Sequence, residues 1–304
     1  MLNRSSIPGN PMTVNKRHNA SFTETPEPMR GKQKPVDEYF DTASPYWDAI
    51  YASTDLQSTI YKDRQALALK LLDELNLPKD ANILEAGSGA GVLTMSIAKR
   101  GYHVSAFDSS PAMKERTEQR AKETGLSSLI SVSLEDVHSL SFKDKSFDAA
   151  VALGVLPWLH SPEKAVREMK RILKPGGYLI VTVDNKLRLN HLLDPRWNPG
   201  IDPVRRMMKS LLEILKLRKP AAGPWIARMH SPKELDAMLL SAGIEKISGS
   251  TLGFGPFMFM GKRCIPDSPG KKLNRFFQSL ADRSFPGIRS TGSHYIVVGR
   301  RPNE

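Results

Sequence analysis

One stretch of the sequence, residues 82–108, limits the possible fold more than any other. An apolar run ends at Glu85, and a turn with glycines at positions 87, 89 and 91 follows it. Apolar residues then return at helical spacing until Gly101, and a second apolar run ends on Asp108. This order of strand, glycine turn, helix and strand is typical of a βαβ unit with two parallel strands. The stretch therefore predicts an α/β protein.

The same stretch predicts a site for a nucleoside. Glycine has no Cβ, so the turn can adopt positive φ and a ligand can lie directly against its backbone. Open α/β sheets bind ligands at the carboxyl ends of their strands, where Glu85 and Asp108 are expected. Asp108 follows Gly87 by 21 residues, close to the ~20 residues typical of an acid that binds a ribose. A glycine-rich turn without a ligand is the alternative.

The residues around the turn argue against a dinucleotide. A dinucleotide site prefers a small residue at the position of Val92, beside the pyrophosphate, and here the third glycine comes one residue earlier, at Gly91. The acid at position 85 is poorly placed beside phosphates and well placed beside a cation. These features favour a ligand with a positive charge and a ribose but no phosphate, and S-adenosylmethionine is such a ligand.

With these residues the chain resembles the class I S-adenosylmethionine-dependent methyltransferases, especially the branch that acts on small molecules such as quinone precursors. Five motifs carry the resemblance, in the family's order, between residues 82 and 185. They are Glu85-x-Gly87-x-Gly89-x-Gly91, Asp108-Ser109-Ser110-Pro111-Ala112-Met113, Asp136 followed by Leu140 and Phe142, the fourth strand from Phe147 to Gly154, and Ala165 to Gly177, which ends in Arg171-Ile-Leu-Lys-Pro-Gly-Gly177.

The resemblance implies a doubly wound, mostly parallel, seven-stranded sheet: a Rossmann-like methyltransferase fold with helical insertions and an antiparallel last strand between the fifth and sixth. It implies S-adenosyl-L-methionine as the cofactor. Glu85 would face the methionine amino end, Asp108 both ribose hydroxyls, and Asp136 the adenine amino group. The implied cofactor-binding residues are Glu85, Gly87, Ser88, Gly89, Gly91, Asp108, Ser109, Met113, Asp136, Val137 and Leu153.

Periodicity and composition divide the rest of the chain. Residues 1–35 are rich in proline, polar and basic residues without apolar periodicity, which predicts a disordered basic tail. Residues 36–304 are expected to form the methyltransferase domain. Its predicted parts are N-terminal helices over the cofactor site at 36–78, a cofactor-binding core at 79–185, a lid insertion at 186–230, and completion of the sheet at 231–301 with a further insertion at 252–292.

Secondary structure is predicted from the same patterns. The predicted strands lie near 82–86, 103–107, 130–134, 147–154, 178–184, 244–251 and 294–299. The predicted helices lie near 57–76, 91–100, 111–124, 162–173, 204–217 and 231–240. By the resemblance, Tyr39 and Arg64 in the leading helices contact the methionine carboxylate. Aromatic packing and a solvated arginine are the alternative.

The net charge of +12 is unevenly distributed along the 304 residues. Residues 36–185 carry 17 basic and 21 acidic side chains, whereas 186–219 and 262–304 each carry 9 basic and 3 acidic ones. This periphery predicts contact with an anionic surface or acceptor, with a merely solvated surface as the alternative. The amphipathic helix at 204–217 is either a packed lid or a helix lying on an anionic membrane.

The location of the protein is predicted from what the sequence lacks. No apolar run approaches the ~18 residues of a membrane span, the N-terminus has no signal-peptide core, and Cys264 is the single cysteine. A cytoplasmic protein is expected, with peripheral contact at a membrane as a further possibility.

The chemistry of methyl transfer makes few demands on catalytic residues. The donor is already activated, so alignment and exclusion of water carry much of the catalysis. A general base is needed only for an acceptor that arrives protonated. The family often has a histidine after the fourth strand, where this chain has Leu156-Pro157-Trp158. His191, Asp184 and His160 are weaker candidates, so no catalytic residue and no metal ligand is assigned.

The sequence favours methyl transfer to a small, hydrophobic acceptor, on oxygen or carbon. Methylation of RNA is one alternative, but the Asn/Asp-Pro-Pro-Tyr/Phe tetrad is absent after the fourth strand, at Leu153 to Leu156, and no nucleic-acid partner is expected. A catalytically silent scaffold is the other alternative. The identity of the acceptor and the oligomeric state are not predicted.

Overall fold

The computed structural model describes residues 36, 40–41, 47, 49–215 and 227–303. The predicted disordered tail, Tyr39 and the end of the lid insertion at 216–226 lie outside these described residues. None of the helices in the described ranges combines the length and the apolar content that crossing a bilayer requires.

Seven strands form one sheet in the order β3-β2-β1-β4-β5-β9-β6. Neighbouring strands from β1 to β5 are parallel. Their bounds are β1 (Asn82–Ala86), β2 (His103–Asp108), β3 (Ile130–Leu134), β4 (Phe147–Ala152), β5 (Leu173–Asp184), β6 (Glu245–Leu252) and β9 (His294–Arg300). The Rossmann-like methyltransferase fold expected from the sequence is confirmed.

The last strand, β9, is antiparallel to both of its neighbours, β5 and β6. In this register Asp184, the last residue of β5, lies opposite His294, the first residue of β9. The expected antiparallel strand between the fifth and sixth is therefore confirmed. Because β9 runs against β5, its start meets the carboxyl end of β5 at the edge of the sheet where ligands bind.

Helices cover the two faces of the sheet. Three of them begin at a Ser-Pro pair, in which serine is the N-cap and proline occupies the first turn. The helices are α1 (Leu56–Glu74), α2 (Val92–Ala98), α3 (Pro111–Glu123), α4 (Pro162–Ile172), α5 (Leu189–Leu193), α6 (Asp202–Ile214), α7 (Pro232–Ser241) and α8 (Asp267–Asp282). Short 3-10 turns occur at Leu156–Trp158 and Pro199–Ile201.

The hydrophobic core consists of two layers, one on each face of the sheet. Side chains of successive strand residues point to opposite faces, so Ile83 joins one layer and Leu84 the other. The same alternation separates Ile180 from Leu179 and Val181 in β5. Both faces are thus buried, which explains why these strands are continuous apolar runs in the sequence.

Several boundaries differ from those predicted. β4 ends at Ala152, two residues early, because Gly154 adopts positive φ and turns the chain. β5 begins at Leu173, because Leu173 pairs with Phe147 before an irregularity in the register. Within the insertion at 252–292, the structure has a helix, α8, and a hairpin of β7 (Met258–Phe259) and β8 (Lys262–Arg263) that the sequence patterns did not indicate.

Candidate functional site

The glycine turn after β1 presents its backbone to open space. Gly87, Gly89 and Gly91 all have positive φ, of 68°, 52° and 75°. A Cβ on Gly87 would lie 2.5 Å from Val155 Cγ2, so the turn packs closely against the residues that follow β4. A Cβ on Gly89 would meet no atom within 4 Å. A ligand can therefore approach the backbone at position 89.

Asp108 fixes the turn to the end of β2. Its Oδ2 accepts a hydrogen bond of 2.9 Å from the amide of Gly89, and its Oδ1 accepts one of 3.0 Å from the amide of Ser110. On the other side of the turn, Thr117 Oγ1 donates to the carbonyl of Gly89 at 2.9 Å. Asp108 stays partly exposed. Each carboxylate oxygen has two lone pairs, so Asp108 can accept further hydrogen bonds from a ligand.

Glu85 lies beneath this turn and is 3 % exposed. Burial raises the pKa of its carboxyl group to about 8; a hydrogen bond from Thr94 opposes the rise, and the charge of Asp108 adds to it. Thr94 Oγ1 donates to Oε2 at 2.6 Å. A buried carboxyl with a raised pKa favours a cation beside it, because the cation stabilises the ionised form.

The structure brings together the first three motifs and the end of the fourth. The fifth, Ala165 to Gly177, leads into the start of β5 and lies at the opposite edge of the sheet. Ser88 is buried, with its Oγ 3.4 Å from Thr117 Oγ1, and Ser109 is partly buried after β2. Asp136 follows β3, where its Oδ1 lies 2.6 Å from His138 Nδ1. The remaining residues expected to bind the cofactor, Met113, Val137 and Leu153, are buried, buried and half-buried.

Arg64, on α1, lies near the turn that follows β4. It is buried, and its guanidinium stacks on the ring of Tyr61 with the carbon atom 4.7 Å from the ring centroid. A Cβ on Gly154 would lie 2.8 Å from Arg64 Nη1. The Nε of Arg64 is shielded from water and has no hydrogen-bond acceptor among the described residues. Because a buried donor without an acceptor is costly, this position fits an anionic ligand group.

Aromatic side chains form a wall beside Arg64. The ring centroids of Phe40 and Trp158 are 5.1 Å apart, those of Trp47 and Tyr61 5.9 Å, and those of Tyr61 and His294 5.7 Å. Most of these rings meet edge to face, which is a favourable geometry for aromatic pairs. The wall connects the leading segment, the 3-10 turn after β4 and the start of β9.

A buried acid–histidine pair lies at the end of this wall. His294 Nδ1 is 3.0 Å from Asp184 Oδ1, and both side chains are buried. The pKa of Asp184 is lowered to about 2: burial alone would raise it, but His294, Arg188 and Arg64 outweigh the burial. Burial lowers the pKa of His294 despite the carboxylate, helped by the two arginines. At neutral pH the pair is a carboxylate beside a neutral imidazole, which can take up a proton.

The two histidines considered from the sequence, His191 and His160, do not take part in the pair of Asp184 and His294. Burial lowers the pKa of His191 to about 3, and its ring stacks on Trp197 with centroids 5.7 Å apart. His160 lies against His138, 3.8 Å between centroids, on the side of Asp136. His294 was missed by the sequence patterns, since a histidine at the first position of a strand carries no signal until its partner is known.

Residues 84–181 match the family model described as a methyltransferase domain. This match begins in β1 and ends in β5, and it includes the glycine turn, Glu85 and Asp108. The match covers about a third of the chain, and it supports the resemblance to the class I S-adenosylmethionine-dependent methyltransferases. S-adenosylmethionine is the cofactor of that family. Three features fit it: the partly exposed Asp108 on β2, the open backbone at Gly89, and the Nε of Arg64, which has no acceptor among the described residues.

Similar proteins include several methyltransferases. The chain is 26% identical over 220 residues to a ubiquinone biosynthesis O-methyltransferase of Xanthomonas axonopodis pv. citri, covering 71% of this chain and 83% of that protein. It is 25% identical over 146 residues to a sterol 4-C-methyltransferase of Caenorhabditis elegans, covering 48% of this chain and 42% of that protein. The chain thus spans less than half of the sterol enzyme.

Solved structures share the fold. The magnesium protoporphyrin IX methyltransferase of Synechocystis, with bound S-adenosylhomocysteine, has a TM-score of 0.57 and 17% identity, covering 88% of this chain and 99% of that chain. The cyclase SpnF has a TM-score of 0.58 and 20% identity, covering 88% and 96%.

The raised pKa of Glu85 predicts that cofactor binding releases protons. At pH 7 a carboxyl with a pKa of about 8 is mostly protonated in the free protein. The positive charge of the ligand's amino group lowers that pKa, so the proton leaves on binding. Calorimetric titration with S-adenosylmethionine in two buffers of different ionisation enthalpy measures the release.

We expect release of a substantial fraction of one proton at pH 7 and its loss in Glu85→Gln, which also binds more weakly. Glu115→Gln, at an exposed position of α3, is the matched control and should behave like the unaltered protein. Equal heats in both buffers for the unaltered protein would contradict the assignment.

Proposed function

We propose that the protein transfers the methyl group of S-adenosylmethionine to an oxygen or carbon atom of a small, hydrophobic acceptor. The Asp184–His294 pair at the end of an aromatic wall carries the proposal, because it lies at the same edge of the sheet as the glycine turn. Two relatives are named for methylation in ubiquinone biosynthesis and of a sterol. Those names support a hydrophobic acceptor.

In this proposal the residues around the turn hold the cofactor. Glu85 balances the charge of its amino group, Arg64 receives its carboxylate, and Asp108 accepts from its ribose hydroxyls. Asp136 lies at the adenine end. When bound, the cofactor supplies a methyl group that is already activated as a sulfonium. The aromatic wall keeps water away and orients the acceptor, which is where much of the rate acceleration arises.

His294 is the proposed general base for an acceptor that arrives protonated. The one hydrogen bond of its ring among the described residues is to Asp184, which leaves Nε2 to accept a proton. Asp184 orients the ring and stabilises the imidazolium that forms. The charged groups around His294 are Asp184 on β5, Arg64 on α1 and Arg188 at the start of α5.

The reaction is tested by methyl transfer into cell extracts. The protein and S-adenosylmethionine with a labelled methyl group are incubated with an extract, which is then separated into lipid, polar small molecules, RNA and protein. We expect the label mainly in the lipid fraction, and none with Asp108→Ala. Label in RNA would support the alternative of an RNA methyltransferase, and cofactor binding without any transfer would support a silent member of the fold.

Replacing His294 tests its role as the base. The acceptor for this test is the lipid fraction of fresh extract, before any labelling. With it, His294→Gln should lower the transfer rate by about 10²–10⁴-fold, the range typical of general bases. The pKa of His294 lies below the ordinary pKa of histidine, so the ring is neutral at and above that ordinary pKa. The unaltered protein should therefore lose activity only as the pH falls below it. This acidic limb should be absent from the residual activity of His294→Gln.

His103→Gln, at an exposed position of β2, is the control and should keep both the rate and the pH profile. Titration with S-adenosylhomocysteine shows whether each variant keeps its cofactor site. A rate within threefold of the unaltered protein for His294→Gln would exclude this residue as the base.

Contact with an anionic membrane is the second part of the proposal. Five apolar residues of α6 are 52–76 % exposed, which does not fit a lid packed on the domain along that face, and Leu212 is half-buried. The five are Val204, Met207, Met208, Leu211 and Ile214, followed by Leu215. Arg205 and Arg206 flank this face. Exposed apolar side chains beside basic ones are typical of helices that lie in the interface of anionic membranes.

Flotation with phospholipid vesicles tests the membrane contact. We expect the protein to float with anionic vesicles at low ionic strength, and less with zwitterionic ones, because screening weakens the attraction of basic residues. Leu211→Asp with Ile214→Asp should abolish flotation. Leu240→Asp is the control, since Leu240 is 75 % exposed on another helix, α7. An equal loss in the control would contradict a specific surface.

A further inference from the structure

Arg188 occupies a position that the proposed function leaves unused. It is partly buried, with its Nε fully shielded from solvent and without an acceptor among the described residues. Its Nη2 donates to the thioether sulfur of Met229 at 2.9 Å, and no carboxylate in the described ranges is within ion-pair distance. A sulfur atom is a weak acceptor. The Nε of this guanidinium is therefore unsatisfied among the described residues, and Nη2 has only a weak acceptor.

The turn that carries Arg188 is held by a buried asparagine, Asn185. Its side chain donates to the carbonyls of Ser290 and Gly292, both at 2.8 Å, and accepts from the amide of Leu187 at 2.9 Å. The amide of Arg188 donates to the carbonyl of Asn185 at 3.2 Å. These bonds fix the backbone from which the Arg188 side chain extends, so the turn is formed before any ligand arrives.

The charges around Arg188 leave a net positive site. Among the described residues, Asp184 is the carboxylate that acts on Arg188, and Arg64 acts on the same carboxylate. His294 is neutral beside Asp184, so two guanidinium groups share one carboxylate. Arg64 belongs to the proposed cofactor site. One positive charge then remains on the acceptor side.

We propose that Arg188 binds an acidic group of the methyl acceptor, a carboxylate or a phosphate, and that the acceptor is an anionic amphiphile. The inference rests on the proposed transfer to a small acceptor and names its chemical class. A planar guanidinium matches carboxylate and phosphate with two parallel hydrogen bonds. The ligand would supply the acceptor that Nε lacks and, for Nη2, a stronger acceptor than the sulfur of Met229.

Exposed apolar side chains on α5 and on the neighbouring hairpin suit the apolar part of such a molecule. Arg188 is the N-cap of α5, a helix about 7.5 Å long. Leu193, at the other end of α5, is 64% exposed. The side chain of Asn190 donates to the carbonyl of Pro256, which joins α5 to the loop before the β7–β8 hairpin. That hairpin carries the exposed Phe259 and Met260.

Binding of simple amphiphiles tests the proposal without the natural acceptor. Decanoate and decanol have the same chain and differ in charge. Their affinities are measured by calorimetry for the protein saturated with S-adenosylhomocysteine. We expect decanoate to bind at least tenfold more tightly than decanol, since hydrogen bonds to a charged partner are about twice as strong as neutral ones.

Arg188→Gln should lower the affinity for decanoate to that for decanol and leave decanol unchanged. Arg188→Lys keeps the charge without the planar fork and should retain part of the preference. Arg167→Gln, exposed on α4, is the matched control and should change neither affinity. The affinity of each variant for S-adenosylhomocysteine should equal that of the unaltered protein, which reports an intact site.

Three results would overturn the proposal: equal affinities for decanoate and decanol in the unaltered protein, a preference that survives Arg188→Gln, or a loss of cofactor affinity in both Arg188 variants. The last would assign the guanidinium to the cofactor. A preference for decanoate that depends on Arg188 would stand even if no methyl transfer into lipid is found, so the failure of the proposed function is distinguishable from that of this inference.

Discussion

The hydrogen bond from the Gly89 amide to Asp108 is the contact on which the site depends. It ties the turn after β1 to the end of β2 and leaves the backbone at Gly89 open. Glu85 lies beneath the same turn, where burial raises its pKa. A short turn between two parallel strands thus holds one acid that is partly exposed and one that is buried, and each can bind a different part of a cofactor.

Much of the parallel part of the sheet and of the glycine turn was predictable, because the sequence patterns that indicate them are local. Apolar runs give the parallel strands, glycines with positive φ give the turn, and Ser-Pro pairs mark the starts of helices. The bounds of β1, β2 and β3 differ from the predicted ones by at most one residue. The family resemblance predicted the antiparallel direction of β9 and its place between the fifth and sixth strands, which no local pattern indicates.

The proposed acceptor side was not predictable from the sequence, for a physical reason. Asp184 and His294 are 110 residues apart, and they meet because the register of β9 on β5 brings them together. Arg188 is one of the basic residues of 186–219 in the sequence, and the turn that carries it is held by hydrogen bonds from Asn185 to Ser290 and Gly292, about 105 residues away. α8 was missed because its glycine, proline and polar residues dilute the apolar spacing.

The position of β9 in the sheet has a consequence for biosynthesis. β9 is translated after β6, yet it lies between β5 and β6. Until β9 leaves the ribosome, the edge of β5 has no partner and β6 cannot join the sheet, so a nascent chain exposes an open strand to aggregation. The glycine turn between β1 and β2 can form early. The Asp184–His294 pair, proposed to serve the second substrate, exists only once β9 has been inserted.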